Sequence, residues 1–415
     1  MQRRQLILNS AAWAGWTLAA LPTAQAAAPE LRHRKLIVVM LRGAVDGLSV
    51  LAPYGEHEYA ASRGSIALAA PGAAGGVLRL NSLFGLHPAL SRLMPMWEGG
   101  SMSFVHASGL PDATRSHFDA QDFLESGTPG RKSTPDGWMN RLLSSLPGPA
   151  GPTRGVNLGN TPPRIWAGSA AVASLGLGPR ALDNKAIDSP RLQTALARLY
   201  AQDPALAKAL AESKEGRAEI QRSMEGAAVA GDRSMDGDRG APSARSFAAD
   251  ARRLGQLIRR DPNTQLAFTS VGGWDTHVNQ GGAEGQLANK LSSLAEGLEA
   301  LALGLGDAMR GTVIVVCSEF GRTLSQNGTG GTDHGRANVM WLLGGPVAGG
   351  QVLGDWPGLN SRALADGRDL AVTTDFRQVF APLLQRHLGL SDAGLAQVFP
   401  NFDRPWRENA ALLRA

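Results

Sequence analysis

Five short, mostly apolar runs constrain this chain more than anything else in it. They cover residues 36–41, 102–107, 265–271, 312–317 and 339–343, and each is closed within two residues by glycine or serine. Apolar runs of this length without strict alternation bury both faces, which is how central strands read. The 312–317 run, rich in valine and isoleucine, is the clearest of them. Helical spacing lies between the runs, over 117–125 after Ser116, 138–146 after Asp136-Gly137, 286–309 and 376–388. Buried strands alternating with amphipathic helices predict an α/β fold, a mostly parallel sheet covered on both faces.

Residues 190–262 break this rhythm. Two helical stretches, about 190–223 and 246–260, flank a segment at 226–243 rich in Gly, Ser, Asp and Arg. The region reads as a helical insertion on a single α/β domain spanning 27–415, with 226–243 as a mobile loop.

The polar residues collect where such a sheet binds ligands, beyond the carboxyl ends of its strands. Arg42-Gly43-Ala44-Val45-Asp46 follows the first run, Arg115-Ser116-His117 the second, Asp275-Thr276-His277 the third, and Ser318-Glu319-Phe320-Gly321-Arg322 the fourth. Asp333-His334 comes soon after. Asp275 and His277 are two apart, a spacing that lets both reach one ion. Asp333 and His334 are adjacent, and the glycines around them allow the turn that bringing both together requires. Carboxylate and imidazole together suit zinc, manganese or a similar divalent ion. His117 joins these candidates, although it also fits a plain role covering a helix end. Ser116 with Asp119 three residues on fits an N-cap as well as a nucleophile. Asp46 before Gly47 also suits a turn, Glu319 with Arg322 a structural ion pair, and His106 a satisfied core histidine.

The N-terminus is read separately. Arg3-Arg4 precedes an uncharged apolar stretch at 11–21, and Ala24-Gln25-Ala26 offers a small-x-small cleavage site. Residues 1–26 are therefore expected to be a twin-arginine signal peptide. That implies the twin-arginine translocase as a partner during export, a periplasmic or secreted bacterial protein, and no membrane span after cleavage. The single cysteine, Cys317, excludes an internal disulfide. The formal net charge of +5 is spread along the chain, without a basic stripe for nucleic acid.

The segments LIVVMLRGAVDGLSVLAPYGEHEY, SHFDAQD, DGWMNR, GGWDTHVNQ, VIVVCSEFGRTLSQNGTGGTDHG and TTDFRQVFAPLL, in this order, resemble the bacterial exported family called domain of unknown function 1501. That family is in turn similar to the alkaline phosphatase and sulfatase superfamily. The resemblance implies a three-layer α/β/α sandwich with a centre of one or two divalent ions. It implies Asp46, Asp275, His277, Glu319, Asp333 and His334 as ligands and Ser116 as nucleophile. It also implies an anionic phosphate or sulfate ester as substrate, whose oxygens Arg42, Arg115 or Arg322 would hold. Two departures stand out: there is no Cys-x-Pro-x-Arg sulfatase motif, and Phe320 stands where an imidazole is expected beside Glu319. These departures leave room for a non-catalytic, metal-stabilised binding or assembly factor of the cell envelope.

Overall fold

The computed structural model describes residues 31–178, 189–224, 238–239, 241–403 and 411–414. The expected signal segment 1–26 and most of the expected loop at 226–243 lie outside the described residues. The strands are β1 (Lys35–Leu41), β2 (Met102–Gly109), β3 (Gly155–Leu158), β4 (Ala173–Leu175), β5 (Leu266–Val271), β6 (Thr312–Ser318), β7 (Asn338–Leu343), β8 (Gln351–Leu353) and β9 (Thr374–Asp375). They form one nine-stranded sheet in the order β8-β2-β7-β6-β1-β5-β3-β4, with β9 beside β2.

Every residue of β1 is buried, as its apolar run requires. Alternation divides those residues between two cores. Ile37, Val39 and Leu41 point to one face with Ile314 and Val316, while Leu36, Val38 and Met40 point to the other with Val313 and Val315. The first face is covered by α5 (Ala244–Arg260) and α6 (Gln286–Leu305), through Phe247, Leu254, Leu291 and Leu298. The second is covered by α1 (His117–Ser126), α2 (Trp138–Ser145) and α7 (Phe376–Pro382), through Phe123, Trp138 and Phe380. The result is the expected three-layer sandwich. Each such apolar side chain contributes about 1.5–3 kcal/mol on burial, so the paired layers hold the sheet without any covalent staple.

The structure departs from the sequence reading in four places. First, β7 runs antiparallel to both β2 and β6, although the sheet is otherwise parallel at its centre. This reversal keeps the whole 319–337 connection at the carboxyl edge of β6, because β7 begins where β6 ends. Second, the helix at 244–260 is part of the core and not of an insertion; Phe247, Leu254, Leu257 and Ile258 are buried against α6. The peripheral helices are α3 (Pro190–Tyr200), which buries no residue, and α4 (Pro204–Met224), whose Ile220 reaches the core. Third, the long helix expected to 309 ends at Leu305. Gly306, with φ of 49°, turns the chain into a 3-10 segment. Fourth, the α-helix expected to 388 ends at Pro382 and passes into a π-helical turn at Leu383–His387, because proline has no N–H to donate.

Three histidines away from the carboxyl clusters are built into the interior. His106 Nε2 donates to the Leu51 carbonyl (3.1 Å) and its Nδ1 accepts from Ala107 N–H (2.9 Å). His87 likewise donates to Gly282 O (3.0 Å) and accepts from Ala89 N–H (3.1 Å), and His387 donates to Lys35 O (3.1 Å). Burial pushes all three down to about 4. Between about pH 6.5 and 4 the unfolded chain binds protons that the folded chain refuses, so stability falls as pH drops through that window. Each histidine contributes up to about 3 kcal/mol of this loss. His87→Asn keeps a side-chain oxygen for Ala89 N–H and removes one titration. Urea midpoints at pH 7.5 and 5 are expected to differ less in this variant than in the wild type; an equal difference would contradict the assignment.

Candidate metal centre

Each polar cluster reaches the carboxyl edge on a different element. His117 opens α1, and Ser116 caps that helix by accepting from Asp119 N–H at 3.4 Å. Asp275 and His277 follow β5, and His334 precedes β7. Two glycines let these loops meet. Gly43 has φ of 107°, and a Cβ there would lie 2.8 Å from the Asp275 nitrogen. A Cβ on Gly331 would lie 2.3 Å from the His277 carbonyl carbon and oxygen. Larger residues at either position would push the ligand-bearing loops apart.

Three of the seven expected ligands, His117, Asp275 and His334, bring ligand atoms within 4.8 Å of one another, and a fourth, His277, adjoins them. Nε2 of His334 lies 3.0 Å from Nε2 of His117 and 3.0 Å from Nε2 of His277. Asp275 Oδ1 is 3.0 Å from His277 Nε2 and 3.3 Å from His334 Nε2, and its Oδ2 is 3.6 Å from His117 Nε2. The opposite nitrogen of each ring faces an acceptor. His117 Nδ1 meets Glu319 Oε1 (2.8 Å), His334 Nδ1 meets the Arg115 carbonyl (2.8 Å), and His277 Nδ1 meets Asp333 Oδ1 (3.2 Å). A carboxylate or carbonyl can only accept, so with a metal ion at the centre each ring would keep its proton on Nδ1 and turn the Nε2 lone pair to the ion. Nε2 of His334 thus stands between those of His117 and His277 beside a carboxylate. Ring nitrogens 3.0 Å apart need a proton or a metal ion between them. Ring nitrogens oriented by acceptors on their far side are the usual arrangement around a metal ion.

Charge at the site favours a cation as well. Burial resists ionisation of Asp275, but hydrogen bonds from His117 and His334 and the charge of Arg322 hold its carboxyl well below the usual range. Burial also resists ionisation of Glu319; the His117 contact outweighs it and brings Glu319 down to about 2. For His117, burial opposes the charged form, while Asp275 and Glu319 together lift it to about 9. The same two carboxylates that would draw a second proton onto His117 would draw a divalent ion, and the two compete.

The remaining expected site residues take other places. Glu319 is fully buried and is not among the converging donors. Its Oε1 accepts from Gly43 N–H (2.8 Å), Gln121 Nε2 (3.0 Å) and His117, so it orients a ring. Asp333 turns outward from His334, as adjacent residues do, and meets His277 Nδ1 and Asn327 Nδ2 (3.0 Å). Asp46 is buried in an ion pair with Arg63, and Ser49 and Gln280 also donate to it. The arginines expected to face an anion are also committed. Arg42 is buried against Gln121 and Glu125 (2.6 Å). Arg115 pairs with Asp369 (2.5 Å) and Asp366 (2.9 Å). Arg322, 1% exposed, donates to the carbonyls of Ala44, Gly43, Trp274 and Thr332 and to Asp275 at 2.5 Å. An arginine enclosed in this way positions Asp275 and has no free face for a substrate.

Sequence reasoning missed the residue that joins the two ligand loops. Gln280 is fully buried, and its Oε1 accepts from the hydroxyls of Thr276 (2.8 Å) and Thr332 (2.9 Å) while its Nε2 donates to Asp46 (2.7 Å). Thr276 stands between Asp275 and His277, and Thr332 immediately precedes Asp333. Arg63 extends the brace by donating to the carbonyls of Thr323 and Leu324. An invariant spacing or repeat does not announce such a residue; the final Gln of GGWDTHVNQ is the one local hint. Gln280→Leu would strand two buried hydroxyls and take one donor from Asp46, which keeps Arg63 and Ser49. A loss of roughly 2–4 kcal/mol in urea unfolding is expected, whereas a change within 0.5 kcal/mol would show that the loops hold themselves.

The family model described as protein of unknown function (DUF1501) matches residues 97–399. No curated protein matches the chain. Among solved structures, the chain is similar to PsFucS1 sulfatase from Pseudoalteromonas sp., at 14% identity and a TM-score of 0.40, covering 89% of this chain and 70% of that one. It is also similar to the C-terminal periplasmic domain of EcEptC from Escherichia coli, at 12% identity and a TM-score of 0.39, covering 91% of each. A mutant TAB5 alkaline phosphatase is similar at 12% identity and a TM-score of 0.37, over 86% of this chain and 98% of that one.

Proposed function

The chain belongs to the family of proteins of unknown function DUF1501, and on that premise we propose that it is an exported, metal-dependent hydrolase of phosphate or sulfate esters. The observation that carries this reading is the meeting of the Nε2 atoms of His117 and His277 on Nε2 of His334, 3.0 Å each, beside Asp275. His117, His334 and Asp275, whose ligand atoms lie within 4.8 Å of one another, fit a single divalent ion, with zinc or manganese the best match to the donor set. These three would hold it, with His277 beside them. Asp46 is taken by Arg63, so the donors brought together here suit one ion rather than two. Bound there, the ion would supply Lewis acidity toward an ester oxygen.

The chain's own residues do the rest. Glu319, the Arg115 carbonyl and Asp333 keep the three rings in the tautomer that faces the centre. Arg322 holds Asp275 in place and keeps it ionised. Ser116 is the candidate nucleophile. Its residue is exposed, it directly precedes His117, and it stands at the positive end of α1, where an alkoxide or an anionic group is favoured. Export rests on Arg3-Arg4 and the apolar stretch behind them. No described helix is long and apolar enough to cross a membrane.

A second reading has one observation in its favour. Arg42, Arg115 and Arg322 are all engaged with the protein, which leaves none of the three expected anion clamps facing a substrate. That arrangement suits a metal-stabilised binding or assembly factor. Turnover of aryl phosphate and aryl sulfate esters by the zinc- or manganese-loaded protein separates the two. The hydrolase reading expects activity that falls at least a hundredfold in both Ser116→Ala and Asp275→Asn. Absence of turnover in the wild type, with Ser116→Ala costing only a cap of about 1 kcal/mol, would decide for the binding factor.

A further inference from the structure

A buried carboxylate needs charge and hydrogen bonds to offset its lost hydration, and the groups that supply them are held in return. Asp369 is fully buried on a short strand, Asp369–Leu370, which pairs with Leu364–Ala365 outside the main sheet. This hairpin contributes no ligand to the centre. It is nevertheless bonded to the 319–337 connection on either side of His334. Leu324 N–H donates to the Arg368 carbonyl (3.2 Å) and Ala337 N–H to the Leu370 carbonyl (3.0 Å).

Two arginines meet on Asp369, and both lead to His334. Arg115 donates to Asp369 Oδ2 from Nε (3.0 Å) and Nη2 (2.5 Å), and the main-chain carbonyl of the same arginine meets His334 Nδ1 (2.8 Å). Arg368 Nε donates to Asp369 Oδ1 (3.0 Å), and its Nη2 donates to the His334 carbonyl (2.7 Å). Charge-assisted bonds of this kind are the strong ones. One carboxylate thereby fixes His334 at its ring and at its backbone. It also ties the loop that leads into Ser116 and His117 to the loop that carries His334. Asp366 accepts from Arg115 Nη2 as well (2.9 Å), but it is exposed, and an ion pair in solvent contributes little.

We propose that Asp369 is a positioning residue of the metal centre. Through Arg115 and Arg368 it holds the His334 ring with Nε2 turned to His117 and Asp275, so that ion affinity depends on a carboxylate that bonds to none of the three ligands. This rests on the reading that His117, Asp275 and His334 hold an ion.

Zinc titration against a chromophoric chelator, together with the visible spectrum of the cobalt(II)-loaded protein, tests this without turnover. Asp369→Asn keeps the shape and removes the charge. Its zinc affinity is expected to fall about 10- to 100-fold, as loss of the group behind a metal-binding histidine does, and its cobalt bands to shift. Arg368→Gln, at an exposed position where the fold tolerates change, should move both readouts the same way, and it decides alone if Asp369→Asn does not fold. Asp366→Asn should bind zinc as the wild type does. Ile258→Ala, a core cavity at the far end of α5, should lower the urea midpoint and leave affinity and spectrum unmoved. Wild-type affinity and spectrum in both Asp369→Asn and Arg368→Gln would overturn the role of Asp369 and leave the centre standing. A wild type that binds neither zinc nor cobalt would overturn the centre, and the role of Asp369 with it.

Discussion

Each site histidine gives its Nδ1 proton to an acceptor that the fold has already placed. Glu319 stands at the end of β6, the Arg115 carbonyl lies just ahead of α1, and Asp333 is on the loop before β7. With acceptors on the far side of each ring, the Nε2 atoms face one another beside Asp275, where a proton or a metal ion must lie between them. The buried groups around it follow from that need. Arg322 balances Asp275, Gln121 and Gly43 saturate Glu319, and the Asp46–Arg63 pair with Gln280 binds the two loops from below.

The fold delivers these groups through the direction of its strands. β1, β2, β5 and β6 end at one edge, and β7 starts there because it runs the opposite way. A parallel β7 would have required a crossover from one edge to the other. The reversal instead leaves the whole stretch from Glu319 to Ala337 free to fold over the edge as ligand loop, second layer and brace. Close approach of the loops depends on positions where a side chain would not fit, Gly331 above all.

Much of this could be read from the chain alone. The apolar runs at 36–41, 265–271 and 312–317 announced buried strands because nothing else buries both faces of so short a segment. The residues just beyond their ends are where the polar groups of the site gather. His117, Asp275, His277 and His334 were named on that ground. What could not be read was the partner of each charge. Asp46 and Arg63 lie 17 residues apart with a short helix between them, and no periodicity joins them. Glu319 looked like a ligand because a carboxylate that binds a metal and one that orients a histidine are the same residue type at the same strand end. Asp333 looked like a partner of His334, yet neighbouring side chains point apart and it serves His277 instead. The arginines presented the same ambiguity; only burial distinguishes Arg322, which holds a backbone, from one that would hold a substrate.

The central claim is that His117, Asp275 and His334, from three segments, hold one ion. Elemental analysis of the purified protein, beside His334→Ala, tests it most directly. The account predicts about one equivalent of zinc or manganese per chain, lost in the variant while the fold persists. Protein that carries no metal when isolated without chelators, or an equal metal content in His334→Ala, would contradict it.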